Sequence, residues 1–338
     1  MNAARSSCLE VRSIAADVRR GLTAERKWLP PHLFYDEAGS ALYEQITQLD
    51  EYYPTRAERE IFETHADAIV ARASHGWDGR LSVVELGAGS ASKTRVLLHA
   101  LLRRQPTCLY VPIDVSQAAL AQAERMLRAA LPSVRVQPLA MSHDCALSAM
   151  GHVPARQLVM FIGSSVGNFD DDEASRLLAG VRETFGREAT VLLGTDLRKS
   201  PGVLVPAYDD AAGVTAAFNK NVLTRINREL GGHFRLDRFR HVARWNDAES
   251  RIEMHLESTV GHEVDVDGLD LRVRFAAGET IHTESSVKYT IPRVRRLLGA
   301  AGFRLEHSFH DAQRRFATHL CRVHDETARP RAASELAR

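Results

Sequence analysis

The segment ELGAGSASKT at residues 85–94 constrains the fold of this chain more than any other. The mostly apolar run at 81–84 before it is typical of a buried strand, and residues 95–102 after it have the apolar spacing of a helix. A glycine-rich turn between a strand and a helix lets a nucleotide-like ligand lie against bare backbone at the helix N-terminus. The order of strand, glycine turn and helix therefore predicts an α/β fold with a ligand site at this turn.

A second predicted strand, residues 109–114, ends in an acid, Asp114. An acid at this place suits the two hydroxyls of a ribose. Ala91 and Ser92 stand where a dinucleotide-binding loop would have a further glycine, and the acid Glu85 stands just before the first glycine, with Leu86 between them. This pattern is more typical of an S-adenosylmethionine site. A packed strand, turn and helix without any ligand is the alternative that the glycine motif alone leaves open.

The composition excludes several classes of partner. In 338 residues, 44 Lys and Arg against 43 Asp and Glu leave a formal net charge of +1, which gives no indication of nucleic acid or an anionic membrane. No apolar run is long enough to cross a bilayer and the first residues lack the core of a signal peptide, so we expect a cytoplasmic protein. The 4 scattered cysteines favour free thiols, and the spacings of the 15 histidines match no familiar ligand motif, so we expect no metal site.

The N-terminal part is expected to be helical with an irregular interruption. Residues up to about 21 are typical of a helix, and the aromatic, proline-rich stretch 28–36 predicts an irregular segment. Residues 40–49 again have the pattern of a helix. Thr55 and Glu58 have the spacing of a capping box and predict that another helix begins there.

From residue 81 onward, predicted strands and helices alternate, which is typical of a parallel sheet that helices cover on both faces. We expect Ser116 and the acidic run 170–173 to stabilise two helix N-termini. A helix predicted at 207–230 ends this alternation, and strand-like patterning follows from 241 to 289, with a hairpin signal at Asp267-Gly268. Further core strands are expected at 134–136, 158–163 and 189–193, and a helix at 292–299 precedes closing strands at 304–310 and 317–323.

Six segments, in this order along the chain, are similar to the histidine Nα-methyltransferases of ergothioneine biosynthesis. The resemblance covers nearly the whole chain up to about residue 323, and it implies a class I methyltransferase core, with a Rossmann-like doubly wound sheet, and an additional α+β substrate-binding domain. The segments are LFYD (33–36), EYYPTR (51–56), ELGAG (85–89), GSSVGN (163–168), YDDAAGVT (208–215) and TESS (283–286).

This resemblance also implies a domain organisation. The substrate domain would combine an N-terminal helical segment with a late insertion, and the chain would return to the core after it. The expected parts are an N-terminal segment at 1–60, the methyltransferase core at 61–196, the substrate-binding insertion at 197–286, the end of the core at 287–324 and a disordered tail at 325–338.

By the same resemblance, S-adenosyl-L-methionine is the expected cofactor. Its site would map to Gly87, Gly89, Lys93 and Asp114, and to Ser142 and His143 after the third strand. The family carries an acid followed by an aromatic residue at the last two positions, where the acid receives the adenine amino group. In this chain, either Ser142 accepts that hydrogen bond or Asp144 reaches in from a shifted loop.

The resemblance maps the L-histidine site onto residues from distant parts of the chain. Tyr35 and Asn168 would be its catalytic residues, and Met254 would form a soft wall for the imidazole ring. The substrate-binding set is Tyr35, Tyr52, Asn168, Tyr208, Met254, Glu284, Ser285 and Ser286.

The chemistry of these side chains agrees with such roles. The Asn168 amide and the Tyr208 hydroxyl can bind a carboxylate as fixed neutral donors, without a buried cation. Glu284 and Ser286 are two apart in a predicted strand, so both project from one face and can bind an imidazole. The ordinary alternatives are a loop amide bonded to local backbone for Asn168 and a solvated strand face for Glu284, with Lys288 as its salt-bridge neighbour.

The implied reaction is displacement at the sulfonium methyl by the α-amine of L-histidine, with Tyr35 or a water that it holds taking the proton. Three rounds would give the trimethylated betaine, hercynine. The same reaction on tryptophan or a histidine derivative, a catalytically idle S-adenosylmethionine-binding scaffold and, more weakly, a nicotinamide dehydrogenase are the alternatives. We expect a monomer.

Overall fold

A mostly parallel sheet forms the centre of the molecule, which we describe from a computed structural model for residues 14–77, 79–150 and 156–324. Cys8 and the tail expected at 325–338 lie outside the described residues. The strands of this sheet are β1 (Ser82–Leu86), β2 (Cys108–Asp114), β3 (Val134–Val136), β4 (Leu139–Ala140), β5 (Gln157–Phe161), β6 (Thr190–Asp196), β12 (Phe303–His310) and β13 (Phe316–Val323).

The strand order is β12-β13-β6-β5-β1-β2-β3, and β4 pairs with the end of β2. Strands β6, β5, β1, β2 and β3 are parallel, whereas β13 pairs antiparallel with β6 and β12 antiparallel with β13. The chain reverses its direction across the sheet at β1, where β2 lies on one side and β5 on the other. Ligands of open α/β sheets bind beyond the carboxyl ends of the strands at such a switch point.

Helices cover both faces of this sheet, as the alternating pattern predicts. One apolar core packs under the helices at 53–74, 94–102 and 117–130, and another under the helices at 143–150, 171–185 and 291–300. Both cores consist of aliphatic and aromatic side chains that are almost fully buried. The described helices are α1 (Ile14–Leu22), α2 (Glu37–Ile46), α3 (Tyr53–Ser74), α4 (Thr94–Leu102), α5 (Gln117–Ala130), α6 (His143–Met150), α7 (Asp171–Phe185), α8 (Pro201–Leu204), α9 (Val214–Leu230) and α10 (Ile291–Ala300).

A second unit is inserted between β6 and α10. Its strands form a three-stranded antiparallel sheet in the order β11-β8-β7 and a separate β9-β10 hairpin. Helices α1, α2 and α9 pack with these strands around a third apolar core. The strands are β7 (Phe239–Asn246), β8 (Arg251–Ser258), β9 (His262–Val266), β10 (Leu271–Phe275) and β11 (Thr280–Val287).

Backbone hydrogen bonds join the N-terminal segment and the core to this unit. The Leu29 amide donates to the His282 carbonyl (2.8 Å), and the His282 amide donates to the Lys27 carbonyl (2.9 Å), so the N-terminal segment runs along β11. The chain leaves and re-enters the core at one place, where the Tyr289 amide donates to the Asp196 carbonyl and the Arg198 amide to the Tyr289 carbonyl, each at 2.8 Å.

Two of the predicted helix starts are confirmed in detail. The Ser116 hydroxyl accepts from the Ala119 amide, and Asp170 and Glu173 form a complete capping box at the start of α7. The hairpin at Asp267-Gly268 is also confirmed, although its turn is a short 3-10 helix followed by Asp270 in the left-handed region.

Two other predicted starts are wrong. Helix α3 begins at Tyr53 without a side-chain cap, because the Glu58 carboxylate is buried and bonded to groups of the core instead of to a helix end. Helix α9 begins at Val214, not at 207, because the Asp210 carboxylate accepts from the Val214 and Thr215 amides (2.9 and 2.7 Å) and stabilises the N-terminus there.

Candidate active site

A small pocket lies where the carboxyl ends of the core strands face β11. The walls come from the N-terminal segment, the core and the inserted unit. The lining residues are Tyr35, Tyr43, Tyr52, Pro54, Gly163, Ser164, Ser165, Asn168, Asp196, Tyr208, Glu284 and Ser286.

The glycine loop lies at the end of β1 and has the conformation that its sequence predicts. Gly87 and Gly89 have φ of 73° and 51°, a region that favours glycine. A side chain at Gly89 would project into open space, so the loop offers a bare backbone cradle. The Gly89 amide donates to one Asp114 oxygen (2.9 Å) and the Ser116 amide to the other (2.8 Å), which fixes this carboxylate beside the loop.

Glu85, in the strand before the loop, stabilises the loop through buried hydrogen bonds. Its carboxylate is 1% exposed and accepts from the Thr94 hydroxyl at 2.7 and 2.8 Å and from the Tyr110 hydroxyl. Burial raises its pKa to about 7, and these hydroxyls only partly oppose the shift. Glu85 therefore ties the start of α4 to β1 and β2, whereas Asp114 is the acid beside the loop.

Lys93 at the end of the glycine loop forms an ion pair with Glu58 of α3. The Glu58 carboxylate also accepts from the Gly163 amide at 2.9 and 3.0 Å, in the loop after β5. Gly194 makes room for it, since a Cβ there would lie 2.3 Å from a Glu58 oxygen. Burial lowers the pKa of Lys93, but Glu58 outweighs it and the pKa is raised. Glu58 thus links the glycine loop to the loop that carries Asn168.

His143 is the residue after the third strand whose side chain lies beside the glycine loop. Its Nε2 is 3.6 Å from the position that a Cβ of Gly87 would take, and its ring packs on Phe161 with 5.5 Å between centroids. Burial lowers its pKa, which favours the neutral ring. Ser142 is exposed, and Asp144 is exposed in a groove between α6 and α7.

Tyr208 and Ser286 face each other across the pocket wall. Their hydroxyl oxygens are 2.8 Å apart, and the Lys288 ammonium donates to both, at 2.7 Å to Tyr208 and 2.8 Å to Ser286. The sequence interpretation, in which neutral donors alone bind a carboxylate here, missed this cation. Lys288 is fully buried, and it pairs with Asp196 (3.0 Å) rather than with Glu284.

Asp196 is the centre of a hydrogen-bonded network in the wall of the pocket. The Tyr53 hydroxyl donates to both of its oxygens (2.9 and 2.7 Å), and Lys199 pairs with it and with Tyr53. Burial raises the pKa of Asp196, but Lys288 and Lys199 more than offset that effect, so the pKa lies below its ordinary value. The carboxylate is therefore ionised and fully partnered.

Glu284 differs from Asp196 in having no partner. Its carboxylate is buried, and no group of residues 14–77, 79–150 or 156–324 donates a hydrogen bond to it. Burial raises its pKa to about 7, with Lys288 partly opposing the shift. The carboxyl faces the pocket beside Ser286. The strand face is thus buried, which contradicts the solvated alternative.

The neighbours of Glu284 on β11 and β8 have other positions than the sequence interpretation gives them. Ser285 projects from the opposite face of β11, where its hydroxyl lies 3.1 Å from His282 Nε2, so it does not line the pocket. Met254 pairs with Glu284 across the strands but is 2% exposed within the third core. It supports the pocket wall from behind and is not among the lining residues.

Tyrosines close the pocket on the side of the N-terminal segment. Tyr35 packs edge-to-face on Tyr43, with ring centroids 5.8 Å apart, and Tyr52 packs on Tyr208 at 6.2 Å. Burial raises the pKa of Tyr35 well above its ordinary value, and the charges of Tyr43, Glu284 and Asp114 add to the shift. Tyr35 hence stays protonated and can position an amine or a water, but its phenolate is not available as a base.

Asn168 lies on the floor of the pocket at the end of a 3-10 turn that follows β5. Ser164, with φ of 60°, begins this turn, and its hydroxyl accepts from the Asp196 amide at 2.9 Å. The side-chain amide of Asn168 has no hydrogen-bond partner among the described side chains and backbone groups. It is therefore available to a ligand, in contrast to the alternative in which local backbone satisfies it.

The structure brings together most residues that the sequence singles out, and it adds four that the sequence did not reveal. Tyr43 lies in a segment without a motif, and Glu58 was misread as a helix cap. Lys288 and Asp196 are far apart in sequence. Asp196 ends an apolar strand, and Lys288 follows a mostly polar one.

Comparison with known proteins finds relatives that match almost the whole chain. Residues 14–323 match the family model of histidine-specific, S-adenosylmethionine-dependent methyltransferases. The chain is 44% identical to histidine N-alpha-methyltransferase of Mycolicibacterium smegmatis over 88% of its own length and 91% of that protein. The corresponding protein of Mycobacterium tuberculosis is 42% identical, over 86% of this chain and 88% of the relative. Ergothioneine biosynthesis protein 1 of Neurospora crassa is 32% identical over 60% of this chain and 23% of that protein.

Proposed function

The chain belongs to the S-adenosylmethionine-dependent histidine-specific methyltransferases, and we propose that it methylates the α-amino group of L-histidine three times, to hercynine. The single observation that carries the choice of substrate is the buried Glu284 carboxyl, which has no partner among the described residues and stands next to Ser286. A buried unpaired carboxyl is costly, and an imidazole ring supplies the nitrogen that would pair with it.

The cofactor site fits S-adenosylmethionine. The bare backbone of Gly87 and Gly89 and the Asp114 carboxylate at the end of β2 suit an adenosyl group, with His143 beside the loop. The bound cofactor supplies an activated methyl group on a sulfonium, so the protein needs no additional electrophile. Lys93, held by Glu58, lies where it can bind the negatively charged end of an amino-acid moiety.

We assign the two ends of the substrate to two parts of the pocket. The Asn168 amide and the Tyr208 hydroxyl would bind the carboxylate, and Glu284 and Ser286 would bind the ring. The α-amine would then lie on the side of Tyr35. Tyr52 and Tyr43 enclose it and exclude water, which strengthens these polar contacts.

The role of the protein in the chemical step is then mainly positioning. Ring and carboxylate are held at both ends, whereas the amine is held only lightly, so it can turn about the Cα–N bond between transfers. The protonated Tyr35 hydroxyl orients the amine or a water that carries its proton away. A pocket of this kind permits successive transfers because each methyl group faces the tyrosine side and not the clamped ends.

We also propose that the protein acts as a monomer in the cytoplasm. Among the described residues, no helix is both long and apolar enough to cross a membrane.

The test is mass spectrometry of the purified protein incubated with S-adenosylmethionine and L-histidine, with mono- and dimethylhistidine and tryptophan in parallel. Successive gains of one methyl group on histidine, ending at three, are expected. Methylation of tryptophan but not of histidine would overturn the substrate assignment. Cofactor binding without any methylated product would support an idle scaffold instead.

A further inference from the structure

Lys288 occupies an unusual place for a lysine. Its side chain is 0% exposed, and its ammonium has three partners, namely Asp196 Oδ2 (3.0 Å), the Tyr208 hydroxyl (2.7 Å) and the Ser286 hydroxyl (2.8 Å). An ammonium has three donors and no acceptor, so all three of its donors are used. The ammonium also lies 4.5 Å from the centre of the Tyr208 ring. None of its donors is free to contact a ligand, yet all three of its partners line the pocket.

These contacts limit what the two hydroxyls can do. Each hydroxyl has one proton and accepts from Lys288, so neither can donate to the lysine. The Tyr208 and Ser286 oxygens are also 2.8 Å apart, and one of them donates to the other. Of the two hydroxyl protons, one is therefore consumed between the pair and only one remains for the pocket.

We propose that Lys288 is a positioning residue: by donating to both hydroxyls it keeps their oxygens together, so that one of the two protons must lie between them. With a substrate carboxylate in the pocket, Ser286 then donates to Tyr208, Tyr208 donates to the carboxylate and Ser286 is left as an acceptor for a ring N–H. This inference rests on the proposed function, because it takes Tyr208 as the partner of the carboxylate. A carboxylate has no proton to give, so the one remaining proton must be on Tyr208.

The opposite direction would be unfavourable for the same ligand. If Tyr208 donated to Ser286, the phenol oxygen would face the substrate carboxylate with lone pairs only, and two acceptors would meet in a buried site. Without Lys288, the two oxygens are no longer held together, so the hydrogen bond between them can break and Ser286 can turn its proton into the pocket. The cation thus keeps one proton between the hydroxyls, and the substrate carboxylate selects the direction.

The substrate class follows from this direction. The ring must carry an N–H on the nitrogen that faces Ser286, as an imidazole or imidazolium does. A ring of the same shape that has acceptors only, such as the thiazole of 3-(thiazol-4-yl)alanine, would place lone pairs against the Ser286 oxygen. Sites built to receive a donor reject analogues that lack it by large factors, and we expect at least about a thousandfold in kcat/KM.

The experiment compares kcat/KM for L-histidine and for 3-(thiazol-4-yl)alanine in wild type and in Lys288→Met. Methionine fills a similar volume, and Asp196 keeps Lys199 and Tyr53 as partners. We expect the ratio between the two substrates to fall by at least about tenfold, because Ser286 can then turn its proton to the thiazole nitrogen. A loss that is equal for both substrates would mean a structural role only and would overturn the proposal.

Lys199→Met is the matched control. It removes the other lysine of the Asp196 network, but Lys199 contacts neither Tyr208 nor Ser286. We expect the ratio between the two substrates to stay at the wild-type value in this variant. A similar fall in both lysine variants would assign the effect to the charge of the network and would contradict the proposed role of Lys288.

Ser286→Ala keeps the proposal testable if Lys288→Met does not fold. An acceptor lost from Ser286 should reduce kcat/KM for histidine by about tenfold and leave the thiazole analogue unchanged. A larger loss for the analogue would show that Ser286 is a donor and would overturn the proposal. Failure of the proposed function is a different result, since wild type would then not methylate histidine at all.

Discussion

Two buried carboxyl groups line the same pocket and have opposite surroundings. Asp196 has two lysines and a tyrosine around it, and its pKa is lowered, whereas Glu284 has no hydrogen-bond donor among the described residues and its pKa is raised to about 7. Asp196 completes its interactions within the protein. Glu284 leaves its interaction to be completed by a ligand, at a cost to the free protein. The contrast shows which acid holds the pocket together and which one selects what enters it.

The largest effect is expected for Asp196→Asn. The change leaves Lys288 and Lys199 buried opposite a neutral amide, and breaking a buried ion pair costs about 3–5 kcal/mol. We expect a loss of that size in the free energy of unfolding, measured by urea denaturation. Asp247→Asn is the control, because Asp247 pairs with Arg198 at the surface and should change stability by less than about 1 kcal/mol. Equal losses in both variants would mean that the buried ion pairs of Asp196 contribute no more to stability than a surface ion pair.

Glu284→Gln should separate function from stability. We expect kcat/KM for histidine to fall by about 10–100-fold, since hydrogen bonds to charged groups contribute about 1.5–3 kcal/mol. The same variant should unfold at higher urea concentration than wild type at pH 8. A stability that is unchanged or lower at pH 8 would show that Glu284 carries no cost in the free protein.

The sign of this stability change follows from the raised pKa. The Glu284 carboxyl has a pKa of about 7 in the folded protein, against an ordinary 4.5. Below pH 4.5 it is neutral in both the folded and the unfolded protein. As the pH rises from 4.5 to about 7, the unfolded protein releases this proton first, so the free energy of unfolding falls. The advantage of glutamine should therefore be absent at pH 4 and reach roughly 2–3 kcal/mol above pH 7. Glu263→Gln, at an exposed position, is the control and should show no such trend.

Glu58→Gln tests whether the buried carboxylate of Glu58 stabilises the fold in the way that Asp196 does. Glu58 is fully buried, but its partner Lys93 is 18% exposed and can turn toward solvent. We expect a smaller loss of stability than for Asp196, about 1–3 kcal/mol, and weaker binding of S-adenosylmethionine by calorimetry. Unchanged cofactor affinity would mean that Lys93 does not need Glu58 for its position.

The smallest effect is expected for Ser285→Ala. Its hydroxyl lies on the face of β11 away from the pocket, so kcat/KM for histidine should change less than twofold and stability by less than about 0.5 kcal/mol. The matched change Ser286→Ala should exceed it clearly. If the two alanine variants behaved alike, the assignment of Ser286 to the pocket face of β11 and of Ser285 to the opposite face would be wrong.

The sequence predicted well what depends on neighbours along the chain. The glycine loop, the helix start at Asp170 and the alternation along β8 all follow from local spacing, and the structure confirms them. The family resemblance added Tyr35, Tyr208 and Glu284, which no local pattern would have joined.

Errors arose where a long-range partner overrides a local rule. The Thr55 and Glu58 spacing fits a capping box, yet a buried carboxylate gains more from Lys93 and the Gly163 amide than from a helix end. From the sequence, Lys288 is expected only as a salt-bridge neighbour of Glu284 on a solvated strand face. Its true partner, Asp196, lies on a strand of the other unit, and no spacing rule connects them.

The insertion between β6 and the last two core strands affects how the chain is made. Strand β13 pairs with β6 along its whole length, but residues 197–315 must be added before it exists. At about 5–20 residues per second, synthesis of that stretch takes on the order of ten seconds. During this time the outer edge of β6 has unpaired backbone groups and can pair with other chains. The C-terminal hairpin contributes no lining residue to the pocket, but once it is made it covers this edge of β6.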